Sequence, residues 1–107
     1  MGEYLLVSTT TEDRATAARL ASSAVKARLA ASGQVVGPVA SYFWHLGEAG
    51  EGEEWQVLLK TTAARYAELE AHLIAEHSWN KPEVTAIPLV AGAQPYLDWL
   101  DASTTDK

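Results

Sequence analysis

The sequence predicts an α+β fold of order βαββαβ closed by a further helix. Two observations carry this. Apolar residues alternate with polar ones along Trp55, Val57 and Leu59, which is strand periodicity. Elsewhere they recur at helical spacing, first through Ala17, Leu20, Ala21, Ala24, Val25 and Leu29, then through Tyr66, Leu69, Leu73 and Ile74. A third observation sets the proportions: the stretch from Val36 to Thr62 reads as two unusually long strands joined by a Gly- and Glu-rich turn.

Tyr4 to Thr9 is a short, nearly continuous apolar run that suits a central strand covered on both faces. Thr11 is the expected N-cap of the first helix, with Glu12 and Asp13 in its first turn, where the helix dipole favours acids. Ser32-Gly33 is the expected end of that helix, and Gly37-Pro38 suits an edge or bend in the next strand.

Val39 to Leu46 is rich in β-formers, Val39, Tyr42, Phe43 and Trp44 among them. The expected turn is Gly47 to Gly52, where glycines supply positive φ and the glutamates stay solvated. A strand of about ten residues spans roughly 33 Å, against ~17–20 Å for an ordinary one. A chain of 107 residues cannot cover both such arms. Tyr42, Trp44 and Trp55 are therefore expected on an exposed apolar arm that pairs with another copy.

A second helix is expected over Ala64 to His77 and a fourth strand over Val84 to Val90, with Pro88 marking an edge or bulge. A third helix follows Gly92, with Pro95 in its first turn and Tyr96, Leu97, Trp99 and Leu100 packing. Asp101 to Lys107 reads as a frayed polar tail. Ser8-Thr9-Thr10 and Lys60-Thr61-Thr62 echo one another before the first two helices. This is the split βαβ, or ferredoxin-like, order, and no linker divides residues 1–107, so a single domain is expected.

Composition excludes several classes of function. No apolar run approaches the ~18 residues of a membrane span. Met1-Gly2-Glu3-Tyr4 leads straight into a strand without a signal-type basic region, and Leu6 replaces the Ser or Thr of a myristoylation site. Cysteine is absent, which removes disulfides and thiolate chemistry. A net charge of −6 disfavours nucleic acid and anionic membranes as partners. A cytoplasmic address is expected. No nucleophile constellation, phosphate loop or dinucleotide fingerprint is present, so no enzymatic activity is expected.

Several phrases then occur in order: Val7-Ser8-Thr9-Thr10, Ala27-Arg28-Leu29-Ala30-Ala31, Ser41-x-Phe43-x-His45-x-Gly47, Glu54 with Lys60-Thr61, His77-Ser78-Trp79-x-x-Pro82-Glu83, and Tyr96-Leu97-x-Trp99. Over Leu5 to Leu100 the set resembles the CutA divalent-cation tolerance family. The resemblance implies a homotrimer of ferredoxin-like subunits whose hairpins pair across subunits, with an architecture similar to the nitrogen-regulatory PII proteins. It also implies a part in tolerance of copper and other divalent cations. Two positions depart from the family pattern. Ser32 stands where the family often has Cys, which removes a soft copper(I) ligand, and His45 stands where it often has Trp.

The candidate site residues fall into two sets. His77 is either a packed, hydrogen-bonded histidine or a divalent-metal ligand, and His45 is an interface residue or an added ligand. Lys60 interrupts an apolar strand, so it pairs with an acid such as Glu54 or contacts an anion. Trp79 and Glu83 either pack at an interface or, with Lys60, line a PII-like cleft between subunits that holds a small anionic ligand. A protein partner on a scaffold surface is the remaining expectation. His72 is expected to face solvent.

Overall fold

A computed structural model describes residues 3–105. Met1, Gly2, Asp106 and Lys107, with the expectations that fell on them, lie outside the described residues. The elements are β1 (Tyr4–Thr11), α1 (Arg14–Lys26), β2 (Ser32–His45), β3 (Glu48–Thr62), α2 (Ala63–Glu76), β4 (Thr85–Pro88) and α3 (Gln94–Thr104). The four strands form one antiparallel sheet in the order β2-β3-β1-β4. The βαββαβ order with a terminal helix is therefore the fold of the chain.

One sheet face carries the core. Val7, Thr9 and Thr11 of β1 and Val57, Leu59 and Thr61 of β3 are buried, as period two requires. Ala17, Leu20, Ala21 and Ala24 of α1 and Leu69 and Leu73 of α2 complete it. Small alanines bring α1 close: a Cβ on Gly33 would lie 3.2 Å from that of Ala21. Ile74 and Val25, expected in the apolar lines, sit at their margins and are exposed. Among the described residues no helix is long and apolar enough to cross a membrane.

Six boundaries differ from the sequence reading. The N-cap of α1 is Asp13, whose Oδ1 accepts from the Thr16 N–H at 2.7 Å. This bond holds the Asp13 carboxyl below its ordinary pKa. Thr11 instead ends β1. Helix α1 stops at Lys26 without waiting for Gly33. Arg28 takes φ 61°, and the Arg28 and Leu29 N–H groups donate to the Val25 and Ala24 carbonyls. That is a Schellman ending with arginine where glycine is usual, sealed by buried Leu29. Strand β2 consequently begins at Ser32. The hairpin turn is only Leu46-Gly47, with φ 53° and 80°, as a type I′ turn requires. Gly50 and Gly52 belong to β3, where Gly50 lies against the Phe43 ring. Finally, β4 is short, and α3 runs on to Thr104 because Leu100 and Thr104 are buried. Tyr4 Oη donates to Asp101 Oδ2 at 2.6 Å and Arg28 donates to the Ser103 carbonyl at 3.2 Å, which straps this helix down.

Between Val36 and Val39 the pairing partner moves only from Gln56 to Glu54, so β2 carries one extra residue at Gly37-Pro38. The bulge reverses parity along the arm. Val39, Ser41, Phe43 and His45 share a face with Val36, opposite the helices, while Tyr42 and Trp44 take the other face. Trp55 closes over the bulge, where a Cβ on Gly37 would lie 2.6 Å from its ring. Trp55 is thus part-buried against the core and does not belong to the exposed set.

Candidate functional site: the cleft beneath the hairpin arm

A cleft of about 990 Å³ opens on the sheet face opposite the helices, between the hairpin arm and the loop that follows α2. Strand parity supplies Phe43 and His45 from β2, Glu54 and Gln56 from β3, and Thr10 from β1. The loop supplies Trp79, Lys81 and Glu83. Trp79, Glu83 and His45 of the candidate residues therefore meet here. Lys60 lies further along β3, opposite Leu6 and Ser32, and does not line the cleft. Among the described residues Lys60 forms no ion pair, with Glu54 or otherwise, since the two bridges present are Arg19–Glu76 and Arg65–Glu68.

His77 is the C-cap residue of α2 and is 8% exposed. Its Nε2 lies 2.7 Å from the Thr10 carbonyl, which can only accept, so Nε2 carries the proton. Its Nδ1 accepts from the Trp79 backbone N–H at 3.0 Å. Both ring nitrogens are thus committed, and neither has a lone pair to offer a metal. The ring packs against the Trp79 indole, centroids 5.0 Å apart. His77 ties β1 to the loop and fixes Trp79 on the cleft wall. Glu83 is held from the same residue: the Thr10 hydroxyl donates to its Oε1 at 3.4 Å, and the Thr85 hydroxyl to its Oε2 at 3.0 Å.

His45 is exposed at the end of the arm, beside the turn and opposite Glu48, and among the described residues its side chain has no hydrogen-bond partner. His72, expected in solvent, is half-buried and hydrogen-bonds Ser23 of α1. Among the described residues no group of three or more His, Asp or Glu side chains converges as a metal site would need. The donor set does not fit a resident metal ion. Sequence reasoning missed Thr10, Phe43 and Lys81 as cleft residues, and Glu54 entered it only as a partner for Lys60. Only the parity reversal at the bulge brings Phe43 into the cleft, and no local signal for a bulge stood beyond Gly37-Pro38 itself.

Comparison with known proteins gives a consistent result. The family model described as CutA1 divalent ion tolerance protein matches residues 5–103. The divalent-cation tolerance protein CutA of Thermus thermophilus is 34% identical over 104 residues, covering 97% of this chain and 99% of its own. The crystal structure of CutA1 from Oryza sativa superposes with a TM-score of 0.93 at 30% identity, covering 98% of this chain and 96% of that one. A CutA structure from Archaeoglobus fulgidus, described as a periplasmic divalent cation tolerance protein, gives 0.91 at 28% identity, covering 95% and 99%.

Proposed function

This chain belongs to the CutA1 divalent ion tolerance protein family, and from that premise we propose that it is a cytoplasmic homotrimer acting in the response to divalent metal ions, copper among them. The family match from residue 5 to residue 103 carries the tolerance role. The assembly is supported by an arm whose Tyr42, Trp44 and Leu46 are 75%, 78% and 89% exposed in the single subunit. No reaction is assigned to it.

The contact with metal is weak and superficial in this reading. His77 has both nitrogens engaged and no three-ligand group is present among the described residues, which leaves exposed His45 as the histidine able to meet a copper(II) or zinc ion. Calorimetry with copper(II) tests this. Millimolar-range heat that His45→Ala removes and His77→Ala leaves in place is expected. Submicromolar affinity would overturn it. The role itself is tested by expressing the chain in a bacterium that lacks its own family member and following growth on graded copper and zinc. Growth no better than with empty vector would end the proposal. A monomer in sedimentation at micromolar concentration would end the trimer.

A second reading draws on one observation: Trp79 and Glu83, both tied to Thr10, line the same cleft. In it the cleft, completed by a neighbouring subunit, holds a small molecule, as in a PII-like signalling trimer. The anionic ligand first expected has lost Lys60 as its counter-charge, and Lys81 is the one lysine or arginine among the lining residues.

A further inference from the structure

We infer that His77 is a pH-sensitive latch, which holds the loop after α2 closed while its imidazole is neutral and releases it at Trp79 when the ring takes a second proton. Two backbone groups of opposite sense grip the ring. The Thr10 carbonyl can only accept, so it requires a proton on Nε2, 2.7 Å away. The Trp79 N–H can only donate, so it requires a lone pair on Nδ1, 3.0 Å away. The neutral Nε2–H tautomer meets both demands. An imidazolium carries hydrogen on both nitrogens, so it keeps the bond to Thr10 and sets Nδ1–H against the Trp79 N–H. The chain's other two histidines are under no such constraint. His72 bonds the Ser23 hydroxyl, which rotates to donate or to accept. The His45 side chain has no hydrogen-bond partner among the described residues.

The loop gives this change a defined place to act. At its start the Ser78 hydroxyl donates to Glu12, and at its end the Thr10 and Thr85 hydroxyls hold Glu83. Neither anchor depends on His77. Between them, among the described residues, the bond from Trp79 to Nδ1 is the one hydrogen bond made by the backbone of residues 78–83. Release is therefore confined to Trp79, Asn80, Lys81 and Pro82. The Trp79 indole, its centroid 5.0 Å from that of the imidazole, does not resist the proton, since an aromatic face attracts a cation. The charged groups on the neighbouring elements are Glu12 before α1, Arg19 on α1 paired with Glu76 on α2, Glu54 on β3, and Lys81 and Glu83 in the loop. Strands β1 and β4 bring no charge. Carboxylates outnumber cations here, so what resists the proton is the Trp79 N–H and the burial of the ring. The open loop takes up a proton at Nδ1 that the closed loop excludes. The closed form is thus favoured at high pH and lost as pH falls through the range in which histidines charge, about pH 5 to 8.

The test is NMR spectroscopy of the isotope-labelled protein, titrated downward across the histidine range. The ring nitrogens report the charge of His77. The hydrogen-exchange protection factor of the Trp79 amide, which allows for the intrinsic pH dependence of exchange, reports the latch. Charging of His77 should lower that protection about tenfold, the weight of one hydrogen bond. The amide of His77 itself, bonded to the Leu73 carbonyl, should keep its protection. In His77→Gln, whose side chain cannot charge, the Trp79 amide should lose its response to pH. A His77 that charges without any change at Trp79 overturns the latch, as does one that stays neutral until the whole subunit unfolds. A response that persists in His77→Gln overturns it as well and assigns the titration to another group. The first two outcomes are read on the parent chain alone, so the test stands even where the variant folds poorly.

Discussion

The base and the tip of the β2–β3 hairpin are the same two strands in one continuous ladder, yet they live in different surroundings. At the base, Val57 and Leu59 of β3 are fully buried under α1 and α2. At the tip, Tyr42, Trp44 and Leu46 extend past the helices, and most of each side chain is exposed. Hydrophobic residues stand at both ends, so composition does not distinguish them. The subunit supplies a cover for only one. The base is covered by its own chain, and the tip is left uncovered by it. The bulge at Gly37-Pro38 marks the change, since it sets Phe43 and His45 on the sheet face opposite the helices and Tyr42 and Trp44 on the other.

The sharpest way to break this contrast is to remove one side chain from the base. Leu59→Ala should cost about 2–5 kcal/mol, read as a lower denaturation midpoint, because the emptied space lies beneath α1 and cannot be refilled by solvent. A loss below ~1 kcal/mol would show that the base is not the core it is taken for.

The corresponding change at the tip is Tyr42→Glu with Trp44→Glu. It should leave the circular dichroism of the subunit intact and convert the assembly to monomers in sedimentation. An unaltered assembly would mean that the exposed arm is not its adhesive. A smaller effect separates the two roles further. Leu46 adopts φ 53°, a conformation that asparagine accepts more readily than leucine. In the monomeric double variant, Leu46→Asn should stabilise the subunit by about 1 kcal/mol. In the proposed trimer the same change should instead weaken association, because it removes an exposed apolar side chain.

The smallest effect belongs to the base again. Asp13 caps α1 through the Thr16 N–H, which depresses its pKa below the ordinary 3.8. Its contribution is therefore complete above that value and disappears as pH falls through the lower folded value. Asp13→Asn keeps a side-chain acceptor and should flatten this part of the acid-unfolding profile, as followed by circular dichroism. A profile identical to that of the parent chain would show that the cap carries no acid sensitivity.

The order of elements, the buried face of β3 and the exposure of Tyr42 and Trp44 were legible in the sequence, because each follows from local periodicity, whereas Trp55, expected with them, packs against the core. The boundaries were legible where the chemistry was ordinary and hidden where it was not. Arg28 in a left-handed conformation ended α1 where glycine was expected, and Gly50 and Gly52 read as turn residues although they sit in β3. Residues 101–104 looked like a tail because Thr104 gives no hint of its burial. Of the candidate site residues, Trp79, Glu83 and His45 line the cleft, but the sequence did not show what surrounds them there. The bond between His77 and Thr10 joins positions 67 apart. Which residues share the cleft with them depends on a one-residue shift of register. Lys60 does not line the cleft of its own subunit for a simple reason: equal parity puts it on the same face as Glu54 and says nothing of the distance along the strand.

The strap between Tyr4 and Asp101 carries one more consequence. These residues lie 97 apart in sequence and their side chains meet in space, so β1 and α3 lie side by side and a flexible connector could join Tyr4 to the end of α3 at Thr104. New ends opened at Leu46-Gly47 would then yield a circularly permuted chain with every strand and helix in place. Such a chain would separate the fold of the subunit from the integrity of its loop tip, two properties that the natural connectivity keeps bound together.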